Sequence, residues 1–190
     1  MTVSNPATLL SVQAEFGGSG ALSSYVGAAP GISGSLPISL SSFAGVSASI
    51  NIVIGIDEYD IYANQEYDDG RLMGSIYGFI SGGIGYGGTF GGISTTTFAY
   101  AGGATIAEIG GDSNYDQNFS RITFSLLGAN YPNSGWSAMI VPGYGTLTRE
   151  SATYIPDEGY GTWTTWQWIV GGAYDNWFRN GGYTTITFTP

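Results

Sequence analysis

The 190 residues contain four Arg, no Lys, no His and no Cys, set against fourteen carboxylates, for a net charge of -10. That inventory excludes thiolate and imidazole catalysis, Schiff-base chemistry, the Walker phosphate loop, disulfides and zinc sites built from the usual Cys and His ligands. Nucleic acid is not an expected partner, because Arg71, Arg121, Arg149 and Arg179 are too few and too scattered to make the basic stripe that phosphate binding needs.

The chain is rich in Gly (32 residues) and poor in charge (9 %), yet 15 % of it is aromatic, a combination foreign to disordered chains. It therefore predicts a folded, turn-rich, all-β protein. Residues 1–46 read as an N-terminal arm. Asn5-Pro6 predicts a helix start, Leu9, Leu10, Val12 and Phe16 follow at near-helical spacing, and Gly17-Gly18 predicts the stop. Met1 to Ser11 lacks a basic n-region and no run of about 18 apolar residues follows, so neither a signal peptide nor membrane insertion is expected.

Glu15 is the only side chain charged at pH 7 before Asp57. One reading of this neutral stretch is a flexible Gly/Ser linker. The other is an arm packed on protein subunits, where exposed charge would be a liability. A repeat favours the second: Leu22-Ser23-Ser24-Tyr25-Val26-Gly27 returns as Leu40-Ser41-Ser42-Phe43-Ala44-Gly45, each copy predicting one short helical turn. Leu9, Leu10, Phe16, Leu22, Tyr25, Leu40 and Phe43 are the expected assembly contacts.

Residues 47–70 read as a β-branched strand, Ser47 to Ile56, followed by an acidic connector. Six carboxylates fall between Asp57 and Gly70, but their spacing does not follow the alternating loop that binds calcium, so a solvated acidic segment is expected and no metal. Residues 71–190 read as a Gly- and aromatic-rich β domain with strands at Leu72 to Ile80, Ala104 to Ile109, Asn118 to Leu127, Trp136 to Val141, Thr162 to Val170 and Tyr183 to Thr189. Alternation puts Ile122, Phe124 and Leu126 on one face and Arg121, Thr123 and Ser125 on the other. It likewise separates Trp166 and Trp168 from Trp163, Thr165 and Gln167. The expected architecture is an antiparallel β-sandwich, or a barrel-like domain, preceded by the arm with its short helical turns.

Chemistry-bearing groups are sparse. Glu108 lies in an apolar run, Glu150 follows Arg149, and Gly111-Asp112-Ser113 is half of an aspartic-protease motif without its second copy. A strand-face ion pair accounts for the glutamates better than catalysis does, and no enzyme or cofactor is expected. Trp166 and Trp168 belong to the core, whereas Trp163 and Trp177 are the better candidates for an exposed glycan contact.

The arm, with Leu9-Leu10-Ser11-Val12-Gln13-Ala14-Glu15-Phe16-Gly17-Gly18 and Leu36-Pro37-Ile38-Ser39-Leu40-Ser41-Ser42-Phe43, resembles the opening of many tailed-bacteriophage virion proteins. Tyr77-Gly78-Phe79, the segment Phe90 to Phe98, Gly103-Ala104-Thr105-Ile106, Gly135-Trp136, Arg149 with Ala152-Thr153-Tyr154, and Thr162 to Trp168 resemble the Gly/Tyr-rich β domain of tail-fibre and tail-tip proteins. Thr95 stands where such sequences usually have Pro. The segment from Gly27 to Leu36 also lacks their common Arg-Gly-Gly. The resemblance implies a structural protein located in the virion, a tail-fibre, tail-tip or baseplate-associated component that assembles with other virion proteins and as a homo-oligomer. The alternatives are a carbohydrate-binding adsorption module for host surface glycans and a capsid decoration protein. A depolymerase would require two carboxylates converging in a cleft.

Overall fold

The computed structural model describes residues 3, 7–17, 21–25, 28, 32, 34, 37–43, 49–60, 75–81, 88–114, 118–133, 135–158, 163–172 and 175–190. Of these, 51 % are in strands, and they form one antiparallel sheet curled as a half-barrel, alongside one helix and short 3-10 turns. The chain falls into two compact units, Met1–Ile50 with Phe188–Pro190, and Asn51–Thr187.

In the first unit, helix α1 spans Leu9–Phe16. Its N-cap is Thr8, whose Oγ1 accepts from the Ser11 N–H at 3.1 Å while the Thr8 N–H donates to Ser11 Oγ at 3.0 Å. This reciprocal pair satisfies two of the donors that a helix start leaves open. The expected start at Asn5-Pro6 lies outside the described residues; Thr8 is extended, so the helix begins after it. Gly17, at φ 70°, ends the helix, as the Gly-Gly pair predicts. Both copies of the repeat are 3-10 turns, Leu22–Tyr25 and Leu40–Phe43. They frame a small core of Val3, Val12, Tyr25 and Ile32, against which Phe16, Leu22 and Leu40 pack. The Tyr25 hydroxyl donates to the Gly17 carbonyl at 2.7 Å, which ties the end of α1 to the first turn.

The strands are β1 (Ile50–Asp60), β2 (Ser75–Ile80), β3 (Gly92–Ile93), β4 (Thr97–Phe98), β5 (Ala104–Asn114), β6 (Phe119–Leu127), β7 (Ala138–Val141), β8 (Gly145–Thr148), β9 (Thr153–Ile155), β10 (Trp163–Gly171) and β11 (Gly182–Thr189). Their order across the sheet is β8-β7-β11-β1-β2-β5-β6-β10-β9, with β3 pairing β1 and β4 pairing β5. β1 is therefore a strand of the sheet and continues through Asp60, where the sequence suggests an acidic connector; residues 61–74 lie outside the description.

The alternation read on β6 and β10 is the alternation observed. Ile122, Phe124 and Leu126 are buried together with Trp166 and Trp168, and Trp166 stands opposite Phe124 in the β6–β10 register. Phe124 is the centre of an aromatic cluster: Phe98 meets it edge-on at 4.7 Å, Trp136 edge-on at 5.6 Å, and Trp166 stacks on it at 5.4 Å. These are the offset and T-shaped geometries that ring quadrupoles favour. Two indoles reach acceptors, Trp166 Nε1 on Asn133 Oδ1 at 2.7 Å and Trp168 Nε1 on the Thr148 carbonyl at 2.8 Å. On β11, Ile186 and Phe188 are fully buried and Thr185 is exposed, again as the alternation predicts.

One cross-strand pair requires glycine. Gly78 on β2 faces Gly110 on β5, and a Cβ on Gly110 would stand 2.1 Å from the Tyr77 carbonyl oxygen. Gly78, at φ 120°, would meet Gly110 Cα at 2.5 Å. Both positions combine close backbone approach with no room for a side chain.

Candidate functional site

The second face of β5, β6 and β10 is polar from Glu108 to Asp112, from Arg121 to Ser125 and at Thr165 and Gln167, and beyond that Leu127 and Trp163 pack on an apolar cluster of Ile76, Ile80 and Ala107. Register places Asp112 opposite Arg121, Gly110 opposite Thr123 and Glu108 opposite Ser125 on the β5–β6 pair, with Gln167 beside Thr123 and Thr165 beside Ser125 on β10. Glu108 reaches this face through a β-bulge. The register steps from Ile106↔Leu126 to Glu108↔Ser125, so Ala107 is the extra residue and Glu108 turns away from the aromatic core that Ile106 joins.

The side chains form a connected array. Arg121 binds Asp112 bidentately, Nε to Oδ1 at 2.8 Å and Nη2 to Oδ2 at 2.5 Å, the fork geometry that makes such pairs strong. Arg121 Nη1 donates to Gln167 Oε1 at 3.3 Å, and Gln167 Nε2 donates to Glu158 Oε1 at 3.2 Å. Trp163 Nε1 closes the array on Glu158 Oε2 at 2.8 Å. Below it, Ser125 and Thr165 share a buried hydroxyl contact at 3.0 Å. Asn176 anchors the end of the array by donating to the carbonyls of Asp112 and Arg121 at 3.1 and 3.2 Å. A Cβ on Gly111 would collide with that amide at 2.7 Å.

Burial pushes the Glu108 carboxyl up from 4.5 to about 8, helped by the negative charges of Asp112 and Glu158 and opposed by Arg121 and by a hydrogen bond from Ser125. Glu108 is thus a neutral acid at pH 7, next to charged groups. Arg121 is shifted upward, chiefly by its hydrogen bond to Asp112. Chemically, the array offers a protonated carboxyl, a guanidinium, an amide and an indole. Both oxygens of Asp112 and both of Glu158 are already occupied by donors.

Trp163, expected as an exposed platform, is half-buried and held by Glu158. Trp177 is also half-buried, edge-on to Phe178 at 5.3 Å and 3.5 Å from where a Cβ on Gly143 would sit. The described partners of the two differ: Glu158 and the apolar cluster of Ile76, Ile80 and Ala107 for Trp163, Phe178 for Trp177. Among the expected assembly residues, Tyr25 is buried and Phe16, Leu22 and Leu40 pack on it or its neighbours. Leu9 and Leu10 are exposed, and the side chain of Phe43 lies outside the description. Sequence reasoning did not connect Glu158 or Gln167 to Glu108 and Arg121. Alternation on β6 and β10 already put Arg121, Gln167 and Trp163 on one side, and that was the available signal.

Among the described residues, no group of three or more His, Cys, Asp or Glu is placed to hold a metal ion, and no helix is long and apolar enough to cross a membrane. Compared with family models, curated proteins and solved structures, the chain finds no match.

Proposed function

We propose that this chain is a non-enzymatic structural component of a tailed-bacteriophage virion, of the tail-fibre, tail-tip or baseplate-associated type. It joins other virion proteins and further copies of itself through the unit formed by its first residues. The observation that supports this most is on α1. Val12 and Phe16 are engaged in the unit's own small core, whereas Leu9 and Leu10 remain 38 % and 76 % exposed. In a segment whose single charged side chain before Asp57 is Glu15, two outward leucines make a surface suited to a protein partner.

The test is a Leu9→Ser/Leu10→Ser double variant, in which both changes fall on exposed positions and leave the small core intact. Each leucine buried in a contact contributes about 1.5–3 kcal/mol, so incorporation into particles is expected to fall about tenfold or more. Normal copy number in purified particles would overturn the assembly reading.

A second reading, a carbohydrate-binding adsorption module, is favoured by the indole of Trp163 lying beside the Glu158 carboxylate and the Gln167 amide. The net charge of -10 favours a neutral host glycan over an anionic polymer at separations within about 8–10 Å. Repetition of a weak site can raise avidity by about 10²–10⁴. Particles carrying Trp163→Ala are expected to adsorb to host cells about tenfold less well at normal yield; unchanged adsorption would remove Trp163 from that role.

A further inference from the structure

The outward face of β1 and β11 carries a depression of about 460 Å³ whose lining includes Gly55, Asp57, Gly92, Gly182 and Tyr183. That volume falls within the range of about 300–1,000 Å³ typical of small-ligand sites. Its chief side chain is Tyr183, which is 86 % exposed and yet lies against the sheet. Its Cε1 and Cδ1 stand 2.9 and 3.4 Å from where a Cβ on Gly55 would be. The ring occupies the notch left by the missing side chain of Gly55.

Four residues further along each strand, in the antiparallel sense, Thr187 Oγ1 donates to Asn51 Oδ1 at 2.7 Å. This extends the same outward face with a hydroxyl and an amide. Asp57 stands at the rim, exposed, its Oδ1 accepting the Glu58 N–H at 2.9 Å. Asp57 also lines a neighbouring depression with Glu58, Tyr77, Phe178, Arg179 and Gly181.

We propose that this trough is a binding subsite for a neutral pyranose. A supported aromatic ring presents its π-face to the axial C–H bonds of a sugar, and a carboxylate at the rim accepts hydrogen bonds from adjacent hydroxyls. Asp57 and Glu58 together disfavour an anionic sugar at the same place. The Tyr183 ring lies over Gly55 with most of its surface open to solvent, so one face is available to a sugar. The inference rests on the adsorption reading for its biological purpose, but on the trough alone for its chemistry.

The experiment uses the full chain in solution and saturation-transfer NMR with the methyl glycosides of glucose, galactose, mannose and N-acetylglucosamine. At least one is expected to receive saturation, strongest on the C–H protons of one ring face. Tyr183→Ala should weaken that binding about tenfold or more, and Tyr183→Phe should keep it within about threefold. Gly55→Ala, which drives a methyl into the Tyr183 ring, should weaken it as well. Absence of transfer to all four glycosides, or equal binding by native protein and Tyr183→Ala, overturns the subsite. Adsorption of Trp163→Ala particles remains a separate readout, so loss of one reading does not decide the other.

Discussion

Phe124→Ala is expected to destabilise the protein by about 3–5 kcal/mol, the cost of removing a large ring from a close-packed interior. Phe124 is fully buried and touches three other rings, Phe98, Trp136 and Trp166, at 4.7, 5.6 and 5.4 Å between centroids. Its loss opens a cavity whose walls belong to β4, β6 and β10 and to the segment before β7. Those walls are aromatic and rigid, so they collapse poorly and the upper part of the range applies. Trp166→Ala is expected to cost as much, and it also removes the donor to Asn133 Oδ1. Phe188→Ala belongs with them, since Phe188 is fully buried on β11. Urea unfolding of each variant beside Ile169→Ala is the measurement. Ile169 is 76 % exposed and should change stability by no more than about 0.5 kcal/mol. A Phe124→Ala protein that unfolds with the native midpoint would show that this ring is not part of the interior.

The second large effect is on the pH dependence of stability. Glu108, raised from 4.5 to about 8 by burial and by the Asp112 and Glu158 charges, keeps its proton in the folded protein across a range in which the unfolded chain releases it. The folded state therefore binds more protons between those values, and stability falls as pH rises from 5 to 8. Each unit corresponds to about 1.4 kcal/mol. Because Glu108 retains some contact with solvent, screening reduces the total to about 2–4 kcal/mol. At about 2–4 °C per kcal/mol for a chain of this size, Tm should drop by several degrees over the interval.

The chain gives this test a clear background, because it has no His and no Cys, the side chains that most often titrate in this interval. Glu108→Gln should flatten the curve and be the more stable form at pH 8. A native Tm that stays level from pH 5 to 8, or a Glu108→Gln protein with the native slope, would contradict the assignment of a neutral acid.

The parts of the fold legible in the sequence are those where side-chain period and burial coincide. β6 alternates over its nine residues and β10 from Trp163 to Ile169, before the register shift at its end, and both faces follow from that period alone. The strands the sequence does not announce are β3, β4, β8 and β9, of two to four residues. Runs that short carry too few alternations to stand out from the Gly- and Thr-rich turns around them. At the start of α1, Thr8 and Ser11 form a capping box with Ser in place of the usual Glu or Gln, so Asn5-Pro6 is the more conspicuous signal.

The candidate site was legible only by halves. Arg121, Gln167 and Trp163 share a side by simple counting, but Glu108 joins them through the bulge at Ala107. A bulge shifts phase without any residue type that marks it. Tyr183 illustrates the converse: its place on a strand was plain, but the room its ring occupies is left by Gly55, 128 positions earlier in the numbering. Such support comes from cross-strand neighbours, which a linear pattern does not contain.

The position of β11 bears on synthesis. Among the described residues, the last strand in chain order, β11, lies between β7 and β1, so the two flanks of the sheet cannot be joined until its residues have left the ribosome. Until then β7 and β1 each present an open edge with unsatisfied backbone groups, and the slot for Ile186 and Phe188 stands empty. Open edges recruit strands from neighbouring chains, and contacts between distant parts of a sequence form slowly. A nascent chain stalled before Gly182 is therefore a sticky species, and yield in an expression host should depend on how quickly the final eight residues of the strand follow the rest.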